Sequence, residues 1–289
     1  MVTLLLRTGK VNANIQGRDG LTPLFWAANI GHEAVVKLLL EMDKVNVNIK
    51  DPFGWTPLFG AVDQRHEAVV KLLLESGKID VDTTDLRGQT PLLIAVMNEH
   101  EAVVRLLLET DMVNVNIKDR SGWTPLFRAV DQGHEAVVKL LLESGKVEVD
   151  MEGKLSWALL FLAVERRHGA VVKLLLESGK VDADMEDIKG ETPLVRAVNN
   201  GHEAVVQLLL DTGKVDLNFR SKTGLTPLSI AAEKGHKRIV KLLLDTGKVN
   251  FDIKNRSGQE LLSEALRDGH DGVVRLLRSH TSGAPQPTS

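Results

Sequence analysis

Asp119-Arg120-Ser121-Gly122-Trp123-Thr124-Pro125-Leu126-Phe127-Arg128-Ala129-Val130-Asp131-Gln132-Gly133-His134-Glu135-Ala136-Val137-Val138-Lys139-Leu140-Leu141-Leu142 decides how this chain folds. Asp119 to Trp123 reads as a tight turn, with an aspartate able to accept from its own backbone and a glycine able to take positive φ. Thr124 is a good helix N-cap, and Pro125 suits the first helical position, where its missing N–H costs nothing. Leu126, Ala129 and Val130 stand at i, i+3 and i+4 and share a buried face, while Arg128, Asp131 and Gln132 share another. Gly133 ends this short helix. A second helix starts near His134, and its Val137, Val138, Leu140, Leu141 and Leu142 are too many for a single buried stripe, so it must pack between neighbours. Glu135 and Lys139 are expected to pair at i, i+4 on the exposed side, and Gly145 to close the helix in a left-handed conformation. Val147-Glu148-Val149-Asp150 alternates as an extended exit.

Outward from this stretch, the same pattern recurs with a period of 34 residues. His32, His66, His100, His134, His168, His202, His236 and His270 keep that spacing without drift, as do the Thr-Pro-Leu triplets beginning at Thr22, Thr56, Thr90, Thr124, Thr192 and Thr226. Ala158 and Glu260 stand in the triplet's place in the two departing copies. A fixed period of this length marks an array of stacked modules rather than one closed core. The prior that 289 residues make one large or two ordinary domains therefore gives way to the repeat.

These residues resemble the ankyrin repeat, whose pattern is a turn, Thr-Pro-Leu-His-x-Ala, a glycine, a Val-Val/Leu-Leu helix and a Gly-x-x-Val-Asn exit. The resemblance implies an all-α solenoid of stacked helix-turn-helix modules joined by short turn or hairpin connections. It divides the chain into a partial repeat over 1–16, eight repeats over 17–280 with the last truncated, and a disordered tail over 281–289. The opening Met1-Val2-Thr3-Leu4-Leu5-Leu6 matches Val35 to Leu40, so the chain is expected to start inside a second helix, as a fragment of a longer array would. Arg267, Arg275 and Arg278 make the last repeat polar, as a terminal cap requires. One departure stands out: Phe25, Phe59, Leu93, Phe127, Phe161, Val195, Ser229 and Ser263 occupy the slot where the family usually has histidine, so hydrogen bonds made through that histidine should be missing.

Composition excludes several kinds of function. With 36 basic and 39 acidic side chains the net charge is −3, which offers nothing to a phosphate backbone, so no nucleic-acid partner is expected. The apolar run that contains Ala158 to Val164 is far shorter than the roughly 20 residues of a membrane-spanning helix, so no membrane partner is expected either. The absence of cysteine removes disulfides, thiolate nucleophiles and cysteine metal sites, and suits a reducing cytoplasmic or nuclear setting.

The superficial catalytic signals dissolve in the repeat. His32-Glu33 and its copies begin a His-Glu-x-x-His zinc motif, but valine stands where the second histidine belongs; the histidines read as helix starts and inter-repeat contacts. Gly77-Lys78 and its copies lack the Ser/Thr and the earlier glycine of a phosphate loop, and read as helix ends. Glu33, Glu67, Glu101, Glu135 and Glu203 recur as a solvated face, and Ser76, Ser144 and Ser178 have no base in register. No enzyme, no cofactor and no metal site is expected.

Shared residues build the scaffold, so function is expected where the copies differ. The varying slot in the first helix holds Trp26, Gly60, Ile94, Arg128, Leu162, Arg196, Ile230 and Glu264, and the end of that helix varies among Asp63-Gln64, Asp131-Gln132, Glu165-Arg166 and Asn199-Asn200. Turn tips such as Pro52-Phe53 vary as well. By resemblance to the family these positions line the concave, partner-holding side. The expected partner-binding residues are Phe53, Trp55, Asp63, Gln64, Trp123, Arg128, Asp131, Gln132, Trp157, Arg166, Arg196, Asn199 and Asn200. Trp55, Trp123 and Trp157 are expected in one slot at the end of the turn, as aromatic anchors. The chain reads as a monomeric, non-catalytic scaffold or adaptor for protein partners; the other reading is an accessory recognition region of a larger enzyme or receptor. Repeats two and four are closer to each other than to repeat three, which points to duplication of a two-repeat block, and repeat five, with Gly153-Lys154-Leu155-Ser156-Trp157-Ala158, is expected to have a weakened turn.

Overall fold

A computed structural model describes residues 12–148, 154–250 and 261–281, with the side chains of 154–157, 264 and 281 excepted. Residues 1–11 of the expected partial repeat over 1–16, and 282–289 of the expected tail, lie outside the described residues. The chain forms two compact units, residues 1–148 and 149–289. Among the described residues every regular element is a helix.

The N-terminal unit contains four helix pairs: α1 (Pro23–Asn29) with α2 (Glu33–Leu40), α3 (Pro57–Asp63) with α4 (Glu67–Glu75), α5 (Pro91–Met97) with α6 (Glu101–Leu108), and α7 (Pro125–Gln132) with α8 (Glu135–Glu143). First helices pack on first helices and second on second, so α1, α3, α5 and α7 form one layer and α2, α4, α6 and α8 the other. The C-terminal unit repeats this scheme with α9 (Lys154–Glu165), α11 (Pro193–Asn199), α13 (Pro227–Glu233) and α15 (Leu261–Arg267) in one layer. Its other layer holds α10 (Gly169–Glu177), α12 (Glu203–Asp211), α14 (Lys237–Asp245) and α16 (Asp271–Thr281).

The first helices begin as their threonines dictate. The hydroxyls of Thr22, Thr90, Thr124, Thr192 and Thr226 accept the N–H three residues on, at 3.1–3.3 Å, and proline follows each cap. Thr226 completes a capping box with Ser229, whose hydroxyl accepts the Thr226 N–H. Second helices are buried through paired valines and leucines: Val69, Val70 and Leu73 in α4, and Val171, Val172 and Leu175 in α10, are all at most 1% exposed. Each such side chain contributes about 1.5–3 kcal/mol on burial.

The recurring histidines hold successive repeats together. A ring nitrogen of His66 lies 3.0 Å from the Asn29 carbonyl, His100 2.9 Å from Val62, His134 3.0 Å from Val96, His202 2.9 Å from Val164, and His270 2.9 Å from Glu233. Each ring thus satisfies a carbonyl at the end of the preceding repeat's first helix, where intrahelical partners run out. Burial, chiefly, pushes His202 and His236 below the ordinary histidine range.

The connections take the turn form, and the exits are turns bridged by side-chain amides. Asn48 donates to the Lys78 carbonyl at 3.0 Å and accepts the Asp80 N–H at 3.0 Å. Asn14 and Asn116 do the same in the N-terminal unit, and Asn218 in the C-terminal unit. Lys139 reaches Glu143 at 3.9 Å rather than Glu135, as Lys71 reaches Glu75; Glu135 instead sits at a helix start, where the unpaired N–H groups favour a carboxylate. Finally, repeat five has no first-helix turn of the usual kind. α9 begins at Lys154, five residues before the slot of Pro125, so Trp157 is helical and does not occupy the turn slot of Trp55 and Trp123. Ser156 and Leu159 stand where Gly122 and Pro125 break the chain in repeat four, and nothing stops the helix from extending backwards.

Candidate functional site

In the N-terminal unit the turns of repeats two, three and four are each built on an aspartate, with Gly17 in that place in repeat one. Asp51 Oδ1 accepts the N–H groups of Phe53 and Trp55, both at 2.8 Å. Asp85 does this for Arg87 and Gln89, both at 2.8 Å, and Asp119 for Ser121 and Trp123 at 2.8 and 3.0 Å. Glycines at positive φ close the turns: Gly54, Gly88 and Gly122. Successive turn tips are joined by backbone bonds, Leu86 N–H to Phe53 carbonyl and Arg120 N–H to Arg87 carbonyl, each 3.0 Å. The tips therefore form a regular row in front of the first helices.

Between that row and helices α1 and α3 lies a cleft of 570 Å³. It gathers four of the expected residues, Phe53, Trp55, Asp63 and Gln64, with Asp19, Leu21, Phe25, Asn29, Asp51, Asp85, Leu86, Arg87 and Gln89. Phe53 is 69% exposed at its tip. Trp55 is half-buried and stacks on Phe59 with centroids 5.7 Å apart. Asp63 accepts from Gln64 at 2.8 Å and from Asn98 at 3.2 Å, so it also ties repeat two to repeat three. Four carboxylates against the single guanidinium of Arg87 make the cleft acidic.

Repeat four places Trp123 and Arg128 together. The Arg128 guanidinium lies over the indole, 4.5 Å from the ring centroid, and its Nη2 donates to Asp119 Oδ2 at 2.6 Å. Burial alone would raise the Asp119 pKa; hydrogen bonds from Arg128, Trp123 and Ser121, with the Arg128 charge, outweigh it and hold the carboxyl below the usual range. Asp131 is half-buried and Gln132 exposed at the end of α7.

In the C-terminal unit Arg196 is enclosed by carboxylates. It donates to Asp187, Glu165 and, at 2.7 Å, Glu191, and lies over the Phe161 ring at 5.4 Å. Burial disfavours its charge, but Glu191 first, then Asp187 and Glu165, more than offset this and raise its pKa. With its side chain 13% exposed, Arg196 holds repeats five and six together before it can touch anything else. Arg166 and Asn200 are exposed and Asn199 half-buried. The side chain of Trp157 lies outside the described residues.

Sequence reasoning missed the aspartate partners of both arginines. The signal was there, an aspartate nine residues before arginine in repeats four and six alone, but only the fold shows that turn and helix bring these two positions within bonding distance. Among the described residues no group of three or more His, Asp or Glu side chains could hold a metal ion, and no helix is long and apolar enough to cross a membrane.

Comparison with curated proteins finds no match. The family model described as ankyrin repeats (3 copies) matches residues 1–85, 77–153, 146–221 and 213–286. With paired helices, aspartate-built turns and histidine contacts repeating every 34 residues, and with that match spanning almost the whole sequence, the chain belongs to the ankyrin repeat family.

Proposed function

We propose that this chain is a non-catalytic scaffold or adaptor that holds segments of partner proteins against its turn tips and first helices. Ankyrin repeats are in general protein–protein interaction modules, and the observation that carries the reading for this chain is the cleft in the N-terminal unit. Beside the shared turn aspartates Asp51 and Asp85 it is lined at two slots that differ between repeats, Asp19, Phe53 and Arg87 at one and Leu21, Trp55 and Gln89 at the other, whereas shared residues of the helices such as Leu58, Val62, Val70 and Leu73 are fully buried. A scaffold held in shape by local contacts loses little freedom when a partner docks, so binding free energy is not offset by ordering of the site.

The test is a random peptide library displayed on phage and panned on the full chain, followed by affinity measurements on point variants. Phe53→Ala should weaken selected peptides by more than about 1 kcal/mol, since an exposed aromatic at a cleft rim is the residue type that dominates interface energies. Lys71→Ala, exposed on the other layer of the same unit in α4, should change nothing. Peptides that lose affinity through Lys71 and ignore Phe53 would refute the assignment of the binding face.

A further inference from the structure

Repeats two and four share the sequence Gly-Trp-Thr-Pro-Leu-Phe at 54–59 and 122–127, and they share a turn. In both, the aspartate's Oδ1 accepts two backbone N–H groups, and its own N–H donates to the tryptophan carbonyl, at 2.9 Å for Asp51 and 3.0 Å for Asp119. Oδ2 is thereby left over. In repeat four Arg128 takes it, with its guanidinium on the Trp123 face. Repeat six arrives at the same solution with different neighbours, Arg196 on Asp187 Oδ2 and on the Phe161 face. In repeat two the residue in the Arg128 position is Gly60. Asp51 Oδ2 meets no donor among the described residues, and Asp51 and Trp55 both open into the acidic 570 Å³ cleft.

We infer that repeat two is an arginine receptor: the Asp51 carboxylate and the Trp55 indole take the guanidinium of an arginine carried on an extended segment of a partner protein. This rests on the binding face proposed above and names what that face recognises. The chain supplies the template, because Arg128 shows how an arginine sits on this turn. A planar guanidinium can meet carboxylate and indole together, whereas a lysine ammonium is more strongly hydrated and cannot stack flat. The exposure of the aspartates agrees with an open slot. Asp119 and Asp187, each beneath an arginine, are 7% and 8% exposed, and Asp51 is half-buried. Asp19, Asp63 and Asp85 add negative potential that draws a cation to the cleft. Trp55 lies nearly parallel to Phe59, at 19°, whereas Trp123, beneath Arg128, is turned to 65° from Phe127. Occupation of the slot is therefore expected to change the surroundings of the Trp55 indole.

The experiment follows the indole N–H signals of the full chain by NMR during titration with N-acetylarginine amide, and separately with the lysine and citrulline analogues. Arginine amide should shift the Trp55 signal saturably and leave Trp123 in place. Citrulline, of nearly the same shape but uncharged, should not shift it, and lysine should bind more weakly. Asp51→Asn keeps the acceptor that the turn needs, and should weaken arginine binding by about fivefold or more. Arg128→Ala should open a second slot, so that Trp123 now responds as Trp55 does. No Trp55 response in the unaltered chain, an equal response to citrulline or lysine, or an unchanged affinity in Asp51→Asn would overturn the inference. Because the probe is a single amino acid, such a failure leaves the peptide-binding face to be judged by its own test.

Discussion

Repeats two and four are near-copies whose first helices differ at one interior position, and that position changes what the turn in front of them does. Arg128 covers Asp119 and ties helix to turn, with side-chain exposures of 23% and 3%. Gly60 leaves Asp51 uncovered at the edge of a cleft. A Cβ at Gly60 would meet Asn29 at 3.2 Å and Phe25 at 3.4 Å, so the small residue also lets α3 approach α1 closely. The caps differ too: Thr124 accepts the Phe127 N–H at 3.3 Å, whereas the buried Thr56 hydroxyl has no partner. Repeat four satisfies its turn carboxylate and its cap threonine from within, at the cost of a buried Arg128 Nε with no partner, whereas repeat two leaves Asp51 Oδ2 and the Thr56 hydroxyl open. Closely similar sequence thus builds a closed ion pair in one place and, on the inference drawn above, a recognition slot in the other.

The largest effect that separates them should come from removing the turn carboxylate. Asp119→Ala should cost about 2–3 kcal/mol, because it strips two backbone donors and leaves the part-buried Arg128 without its counter-charge. Asp51→Ala loses only the backbone bonds and should cost about 1 kcal/mol. Urea unfolding of the two variants checks the difference. The acid arm has a definite sign. Because the folded Asp119 pKa is depressed, its contribution is complete above the ordinary value of 3.8 and is lost as pH falls through the folded value. The gap between Asp119→Ala and the unaltered chain should therefore narrow on acidification.

A second contrast lies at the stop of the same helices. Arg65 takes φ 59° where Gly133 takes φ 74°; the left-handed region costs a non-glycine residue about 1 kcal/mol. Arg65→Gly should raise stability by about 1 kcal/mol and Gly133→Ala should lower it by a similar amount. Its ion pair with Glu67, 3.8 Å long and exposed, is too weak to reverse this. Thermal denaturation of both variants reads the two shifts, and shifts of the same sign would break the equivalence of the positions.

The smallest effect sharpens the comparison at the exit of repeat two. Asp82 stands where Asn48 and Asn116 bridge their exits; it still accepts the Asn114 N–H, at 3.1 Å, but has no amide to donate. Burial, against the Asn114 bond and with repulsion from Asp80, raises its pKa. The fold therefore disfavours its charged form, and this cost grows as pH rises from 3.8 through the folded value. Asp82→Asn removes the charge and supplies a donor for the Met112 carbonyl. It should stabilise the chain by about 0.5–1 kcal/mol at neutral pH, with a smaller gain near pH 3. Chemical denaturation at both pH values measures it.

Much of the architecture was legible beforehand because it depends on local features. Thr124, Pro125 and Gly133 mark the first helix by capping, fixed φ and freedom at positive φ, and these act within a few residues. Repeat five shows where that reading ran out. Counting back from His168 put Trp157 in a turn, but without Gly122 and Pro125 counterparts the helix continued through it. Of the proposed site, Phe53, Asp63 and Gln64 were marked by variation between repeats and Trp55 as an aromatic in a recurring slot, and the fold brings these four to one cleft. Arg128 and Arg196 were marked by the same variation, but their bonds to Asp119 and Asp187 were not foreseen.

The sequence by itself determined the period, the helix boundaries outside repeat five, and which faces are buried, since each follows from residue spacing along a helix. Only the tertiary structure decided what the polar side chains bind. Arg196 meets Glu165 across 31 residues, His66, His100, His134, His202 and His270 find carbonyls 37 or 38 residues back, and Asn48 and its counterparts reach carbonyls 30 residues on. These distances are short in space because modules stack, and stacking is a property of neighbouring repeats together. The same reason explains Asp51: the turn made its carboxylate, and the absence of a neighbouring arginine left it open.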